Sequence, residues 1–242
     1  MTTPQKGHTA RVDGLDWPTL VADIDEVGIG VATGDPLLST AECRSLNDIY
    51  GDDSRFRSTV DMGRHRFGEG EYRYFDHPLP DIVVELRHAF WPHLLPIARE
   101  WAHRRDQPAP WPDDLDFWLE QCHAAGQPRP TPLMLRYGPG DWNALHRDLY
   151  GDLVFPLQVV IGLDEPGVDY TGGEFVVVEQ RTRAQSRATT TTIGSGQALV
   201  FTTQTRPMKT KQGWASASMR HGVSTVRSGR RTTLGLIFHD AS

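Results

Sequence analysis

Cysteine is nearly absent: Cys43 and Cys122 are the only two in 242 residues, and they form no C-x-x-C pair. That argues against a disulfide framework and against a thiolate zinc site. Any metal must then be held by imidazole and carboxylate. Long apolar runs are missing too, since no stretch approaches the roughly 18–20 residues a bilayer span needs. The first thirty residues lack the apolar core of a signal peptide and carry acids from Asp13 onward, so a cytoplasmic chain is expected. No internal repeat or long low-complexity segment appears. What is present, 38% hydrophobic and 23% charged residues, fits a soluble globular protein with one sizeable core.

Charge of one sign is scarce in each part of the chain. Residues 180–242 hold ten bases and a single acid, Asp240, which leaves fifteen bases against thirty acids in residues 1–179. The overall charge of −6 hides this asymmetry. A basic C-terminal region either attracts an anionic ligand or nucleic acid, or neutralises an acidic partner surface within the fold.

The texture divides near residue 130. The first part reads mostly helical and is expected to form an extension over residues 1–130 that buttresses the core. Asp16 caps a helix starting at Trp17 and Pro18 and stopped by Gly28. Ser39-Thr-Ala-Glu42 has the form of a capping box. Phe56–Val60 and Tyr72–Phe75 look like short strands. Apolar residues recur at helical spacing from Asp81 to about Arg104, where Pro92 and Pro96 should interrupt or bend the helix. Asp114–Ala124 is another helix. Residues 131–242 are instead short β-rich runs punctuated by Pro and Gly: Leu133–Tyr137, Ala144–Leu149, Val154–Leu163, Glu174–Glu179, Gln197–Thr202, His221–Val226 and Thr232–Phe238. This pattern predicts an antiparallel sandwich or barrel, within one compact α+β unit that is mainly β.

One tripeptide carries chemistry. His146-Arg147-Asp148, the only H-x-D or H-x-E in the chain, falls on a predicted strand. Alternate strand residues share a face, so the imidazole and the carboxylate would point together and Arg147 away. A second imidazole would complete a 2-His-1-carboxylate face, which leaves positions open for a co-substrate and dioxygen. His221, opening a late β run, is the candidate; His239, with three residues after it and none basic, is a poor one. Ten residues beyond His221, Arg231 begins the last strand, where its fork could grip a distal carboxylate.

These motifs in order, Leu135 to Asp148, Gly172-Gly-Glu-Phe175, Gly196 to Phe201, and His221 followed by Arg231, resemble the 2-oxoglutarate/Fe(II) dioxygenase superfamily. The likeness is to its prolyl 4-hydroxylase-like branch and covers roughly Pro132 to Asp240. It implies a double-stranded β-helix (a jelly-roll, cupin-like core) with iron at the open mouth. The ligands would be His146, Asp148 and His221, with Arg231 on the far carboxylate of 2-oxoglutarate and a hydroxyl from Tyr137 or Thr233 beside it. Such enzymes couple conversion of 2-oxoglutarate and O2 into succinate and CO2 to substrate hydroxylation; on an N-methyl group the product collapses with loss of formaldehyde.

The whole pattern is also similar to a bacterial group thought to oxidise methylated bases of damaged nucleic acid. Basic loops at Arg181–Arg187 and Arg206–Lys211 would neutralise phosphates, Trp214 would stack on a base, and Trp142 and Asn143 would line the pocket. Alkylated-base demethylases, however, carry a second arginine where this chain has Ile237, and Asn-Arg-Tyr where it has Leu135-Arg136-Tyr137. Those departures favour a hydroxylase of a protein side chain or small molecule. Two further readings are a non-catalytic barrel-fold binding module and a metal-dependent hydrolase or isomerase on a cupin-like barrel.

Overall fold

In the computed structural model, which describes residues 7–242, local signals set the N-terminal helices. Helix α1 (His8–Asp13) leads to α2 (Trp17–Val27), where the Asp16 side chain accepts from Thr19 N and Gly28 closes the helix at φ 83°. Strand β1 (Ile29–Val31) follows. In α3 (Thr40–Ile49) the capping box between Ser39 and Glu42 forms in both directions. Then come β2 (Phe56–Asp61), the single turn α4 (Met62–His65), β3 (Gly68–Glu69) and β4 (Glu71–Phe75).

Helix α5 (Asp81–Arg104) runs unbroken through Pro92 and Pro96, against expectation. Each proline removes one backbone donor and costs about 3 kcal/mol in a helix interior. The loss is offset by burial of a long apolar face that includes Leu86, Phe90, Leu94 and Trp101. Helix α6 (Leu115–Ala124) is capped by Asp114.

The remaining strands are β5 (Leu133–Tyr137), β6 (Trp142–His146), β7 (Leu157–Gly162), β8 (Tyr170–Gly172) and β9 (Phe175–Gln180). They are followed by β10 (Arg187–Thr191), β11 (Ala198–Thr202), β12 (Thr205–Thr210), β13 (Gly213–Val223), β14 (Val226–Gly229) and β15 (Arg231–Ile237). A seven-stranded sheet has the order β1-β11-β7-β15-β5-β4-β2, and a second has β10-β9-β13-β6-β3 with β12 beside β13. The named strand pairings are all antiparallel.

The seven-stranded sheet has two chemically different faces, as strand alternation requires. Leu157, Val159 and Ile161 of β7, with Leu234 and Leu236 of β15, join the helices in one large apolar core. The opposite face, carrying Val160, Leu199 and Phe201, packs toward Phe175 and Val177 of the second sheet. The helices thus cover the outside of one sheet, and the space between the sheets is left for a site. The N-terminal part is not helical throughout, because β1 to β4 enter both sheets. Their alternation (Tyr72 and Tyr74 against Arg73, for example) fits a pleated surface rather than a helix.

Three sequence expectations are corrected. Arg206–Lys211 is not a loop but lies mostly in β12; Pro207 fits there because β12 is an edge strand paired only with β13. His221 does not open a strand; it lies near the end of the eleven-residue β13, whose Gly-, Ala- and Ser-rich start hid its length. The ligand strand runs from Trp142 and ends at His146, so Asp148 stands just beyond it.

Candidate active site

The ladder between β6 and β13 places His146 directly opposite His221, and their ring centroids are 4.3 Å apart. The chain then leaves the sheet and brings Asp148 beneath both rings. His146 Nε2 lies 3.4 Å from Asp148 Oδ1, and His221 Nε2 lies 3.1 Å from Asp148 Oδ2. A divalent first-row ion with right-angled bonds of about 2.1 Å holds neighbouring donors about 3 Å apart. The spacing fits one ion bound on one face. Among the described residues this is the group of three or more His, Cys, Asp or Glu side chains that converges in this way.

Each donor is oriented by something else. His146 Nδ1 meets Ala144 O at 2.7 Å, which fixes the proton on Nδ1 and turns Nε2 inward. The Tyr150 hydroxyl donates to Asp148 Oδ1 at 2.7 Å. The His221 ring stacks on Phe175 at 5.8 Å and meets the edge of Phe201 at 4.7 Å. Burial pushes the Asp148 carboxyl up, yet His221 and His146 outweigh it and hold it well below the usual carboxylate range. Burial lowers His221; at His146 burial also pulls down, but the hydrogen bond and charge of Asp148 together with the Ala144 carbonyl exceed it and the net shift is upward. The site is poised with an ionised carboxylate and a neutral buried imidazole, as metal binding requires.

Beyond the triad, a cavity of about 210 Å³ continues between the sheets. Arg231 lies against it and is 2% exposed. No carboxylate pairs with its guanidinium among the described residues, and its Nε has no partner. Its neighbours are the Tyr170 phenol, which feels its positive charge, and the Tyr137 ring, 5.6 Å from the guanidinium carbon. Gly173, at φ 65°, passes so close that a β-carbon there would lie 2.8 Å from Arg231 Cδ. A buried cation without a carboxylate partner is costly; this one lies at the wall of the cavity, where an anion could pair with it.

The remaining residues expected from sequence divide cleanly. Tyr137, Asn143 and Thr233 line the cavity, and Asn143 donates to the Tyr137 hydroxyl at 3.3 Å. Burial pushes the Tyr137 phenol up to about 12, so it remains a hydrogen-bond donor at neutral pH. Trp142 is not among the lining residues; it lies beside them on β6, exposed, opposite Glu69 of β3. Trp214 also stands off the cavity. It is seven residues from His221 on β13, a distance of about 23 Å, and Arg104 sits 4.6 Å over its ring. Arg206 is buried against Glu179, away from any ligand. Sequence reasoning missed Gln158 and Tyr150. Gln158 was visible as the one amide in an otherwise apolar run, and Tyr150 as the next alternate residue after Asp148.

The chain matches the family model Oxygenase-NA, described as "Oxygenase, catalysing oxidative methylation of damaged DNA", over residues 70–241. It is similar to the uncharacterized protein Rv2227 of Mycobacterium tuberculosis, 59% identical over 168 residues, which is 69% of this chain and 72% of that one. Among solved structures it is similar to the non-heme alpha-ketoglutarate-dependent epimerase SnoN from nogalamycin biosynthesis. That match has a TM-score of 0.53 at 13% identity and covers 90% of this chain and 81% of the other. A prolyl 4-hydroxylase of Phytophthora capsici gives a TM-score of 0.50 at 14% identity, covering 97% and 65%. Both likenesses concern the fold. Helices packed on one sheet of a double-stranded β-helix, a His-Asp-His face between the sheets and the family match agree: the chain belongs to the Oxygenase-NA family and is an oxygenase.

Proposed function

We propose that His146, Asp148 and His221 hold the iron, that Arg231 with Tyr137 and Thr233 holds 2-oxoglutarate, and that the substrate is a methylated base in single-stranded nucleic acid. The observation that carries the co-substrate assignment is the buried Arg231 without a carboxylate partner, at the same cavity as the triad. A guanidinium there forms a bidentate pair with one carboxylate, and the donor beside it, Tyr137, adds a third bond. When bound, the metal and co-substrate supply the oxidising chemistry. The protein binds, orients and excludes water: Ala144 O and the Tyr150 hydroxyl fix two of the donors, and the Phe175 and Phe201 rings shield the third.

The family's description supports a nucleic-acid substrate, and so does the rim of the site. Phe67 (49% exposed) and Arg147 line the mouth, and the adjoining segments expose Trp142, Leu145 and Leu149. Arg64 and Arg66 are also exposed, next to Phe67. Flat apolar groups interleaved with arginines suit stacked bases and a phosphate backbone. The basic character comes from this rim rather than from Arg206, which is buried against Glu179.

The test is formaldehyde release from single-stranded oligonucleotides carrying 1-methyladenine or 3-methylcytosine, with Fe(II), 2-oxoglutarate and air. Stoichiometric formaldehyde and succinate are expected. Succinate made only with a peptide or a small metabolite would refute the nucleic-acid substrate while leaving the oxygenase intact.

A further inference from the structure

Gln158 has no role in holding the metal or in the helix-facing core. On β7, Leu157, Val159 and Ile161 point to the helices, so alternation turns Gln158 and Val160 to the inner face, where both line the cavity. Gln158 is 4% exposed, and its amide nitrogen is buried without a hydrogen-bond partner. Buried polar groups are nearly always paired, and an apolar residue of the same size would avoid the cost of this one. An amide kept in that state is aimed at something that arrives.

Position tells what arrives. Gln158 pairs in register with Ile237 on β15 and with Phe201 on β11. Ile237 is six residues from Arg231, about 20 Å along the strand, whereas the four C–C bonds of 2-oxoglutarate span only about 5 Å. A co-substrate anchored on Arg231 falls well short of Gln158. Phe201, in contrast, touches His221. Gln158 therefore lies in the half of the cavity on the far side of the metal from Arg231, among the apolar walls of Leu133, Val160 and Phe201. A carboxamide offers a donor and an acceptor side by side, which matches N7 and the exocyclic amine of 1-methyladenine turned out of its stack, the edge that an N1 methyl leaves free.

We infer that the Gln158 carboxamide reads the edge of the methylated base and so sets which substrate is held against the metal. The inference rests on the nucleic-acid reading above. Fluorescence anisotropy of the Fe(II) and 2-oxoglutarate-loaded protein, without oxygen, separates the two. The probes are labelled oligothymidylates carrying one central 1-methyladenine, one 3-methylcytosine, or an abasic site. Wild type should bind at least one methylated-base probe tenfold or more tighter than the abasic one. Gln158→Leu, or Gln158→Met should the first variant fold poorly, should reduce that preference below threefold while abasic binding stays within twofold. A variant that keeps the full preference overturns the role of Gln158 alone. A variant that shifts 2-oxoglutarate affinity tenfold in an anaerobic titration also overturns it, because Gln158 would then belong to the co-substrate. If wild type itself fails to distinguish base from abasic probes, the nucleic-acid reading falls, and the base-reading role falls with it.

Discussion

Replacing Arg231 by methionine should move two quantities in opposite directions. Without co-substrate the guanidinium is 2% exposed and has no ion-pair partner, so Arg231→Met removes a buried charge and fills its space. Replacement of buried charged groups by apolar ones of similar volume is commonly neutral or stabilising by 1–4 kcal/mol. The ligand-free variant should thus equal or exceed wild type, by up to about 4 kcal/mol, raising Tm by anything up to about 16 °C for a chain of this size. Co-substrate binding should collapse, since losing one partner of a buried charge pair costs about 2–5 kcal/mol, a factor of about 30 to 5,000 in Kd. Anaerobic thermal unfolding of the iron-loaded protein reads both effects, because 2-oxoglutarate at 100 times the wild-type Kd should stabilise wild type by about 2.7 kcal/mol and the variant by less than about 1 kcal/mol. Gly173→Ala is a companion perturbation that keeps the charge. Its new methyl would meet Arg231 Cδ at 2.8 Å and Val226 Cγ2 at 2.9 Å, so it should weaken 2-oxoglutarate through displacement of the fork. An Arg231→Met protein that binds 2-oxoglutarate within threefold of wild type, or that loses more than about 2 kcal/mol of ligand-free stability, would refute this account of the residue.

Three other outcomes follow from the same geometry. Tyr150→Phe deletes the hydrogen bond that steadies Asp148 and should lower metal affinity about 10- to 100-fold, read by chelator competition; an unchanged affinity would remove Tyr150 from the site. His239 is buried, accepts from Phe155 N and is depressed by burial to about 4, while in the unfolded chain it titrates near 6.5. Between those values the unfolded state binds the extra proton, so stability falls as pH drops from about 6.5 to 4, by on the order of 3 kcal/mol. Urea unfolding of chelator-treated His239→Asn at both ends of that window should show a correspondingly smaller fall than wild type. Arg206→Met leaves buried Glu179 with only the more exposed Arg181 and should destabilise by about 3 kcal/mol. It should leave the salt dependence of oligonucleotide binding unchanged, whereas Arg147→Gln should reduce the slope of log K against log salt by about 0.7.

Which features could be read in advance depended on whether their cause was local. The caps at Asp16 and Ser39, and the Gly28 stop, are made within a few residues, and each appears as its sequence predicts. The convergence of His146 and Asp148 was legible because H-x-D is itself a geometric statement, even though Asp148 reaches the site from beyond the strand end rather than along it. Pro92 and Pro96 misled because the burial that keeps α5 whole is tertiary and leaves no local trace. The segment around Pro207 misled for the related reason that an edge position, which tolerates proline, is known only once the neighbours of β12 are known. Basic residues in one stretch of sequence suggested one surface, yet Arg206 and Arg231 are buried for different reasons and Arg220 is exposed. Gln158 was the signal most easily overlooked, because one polar residue in an apolar strand reads as noise until its face is known.

The strand order has a consequence for how the molecule is assembled during synthesis. Strand β15, the most C-terminal of the described strands, lies at the middle of the seven-stranded sheet, between β7 and β5. Until residues 231–237 leave the ribosome, that sheet exists only as two separate ribbons, β1-β11-β7 and β5-β4-β2. Each ribbon presents an open edge that invites pairing with another chain. The strand that joins them begins with Arg231, so closure of the barrel and arrival of that buried guanidinium are one event. A chain interrupted before that point lacks its sheet centre and Arg231 together and, on the function proposed above, its hold on 2-oxoglutarate as well.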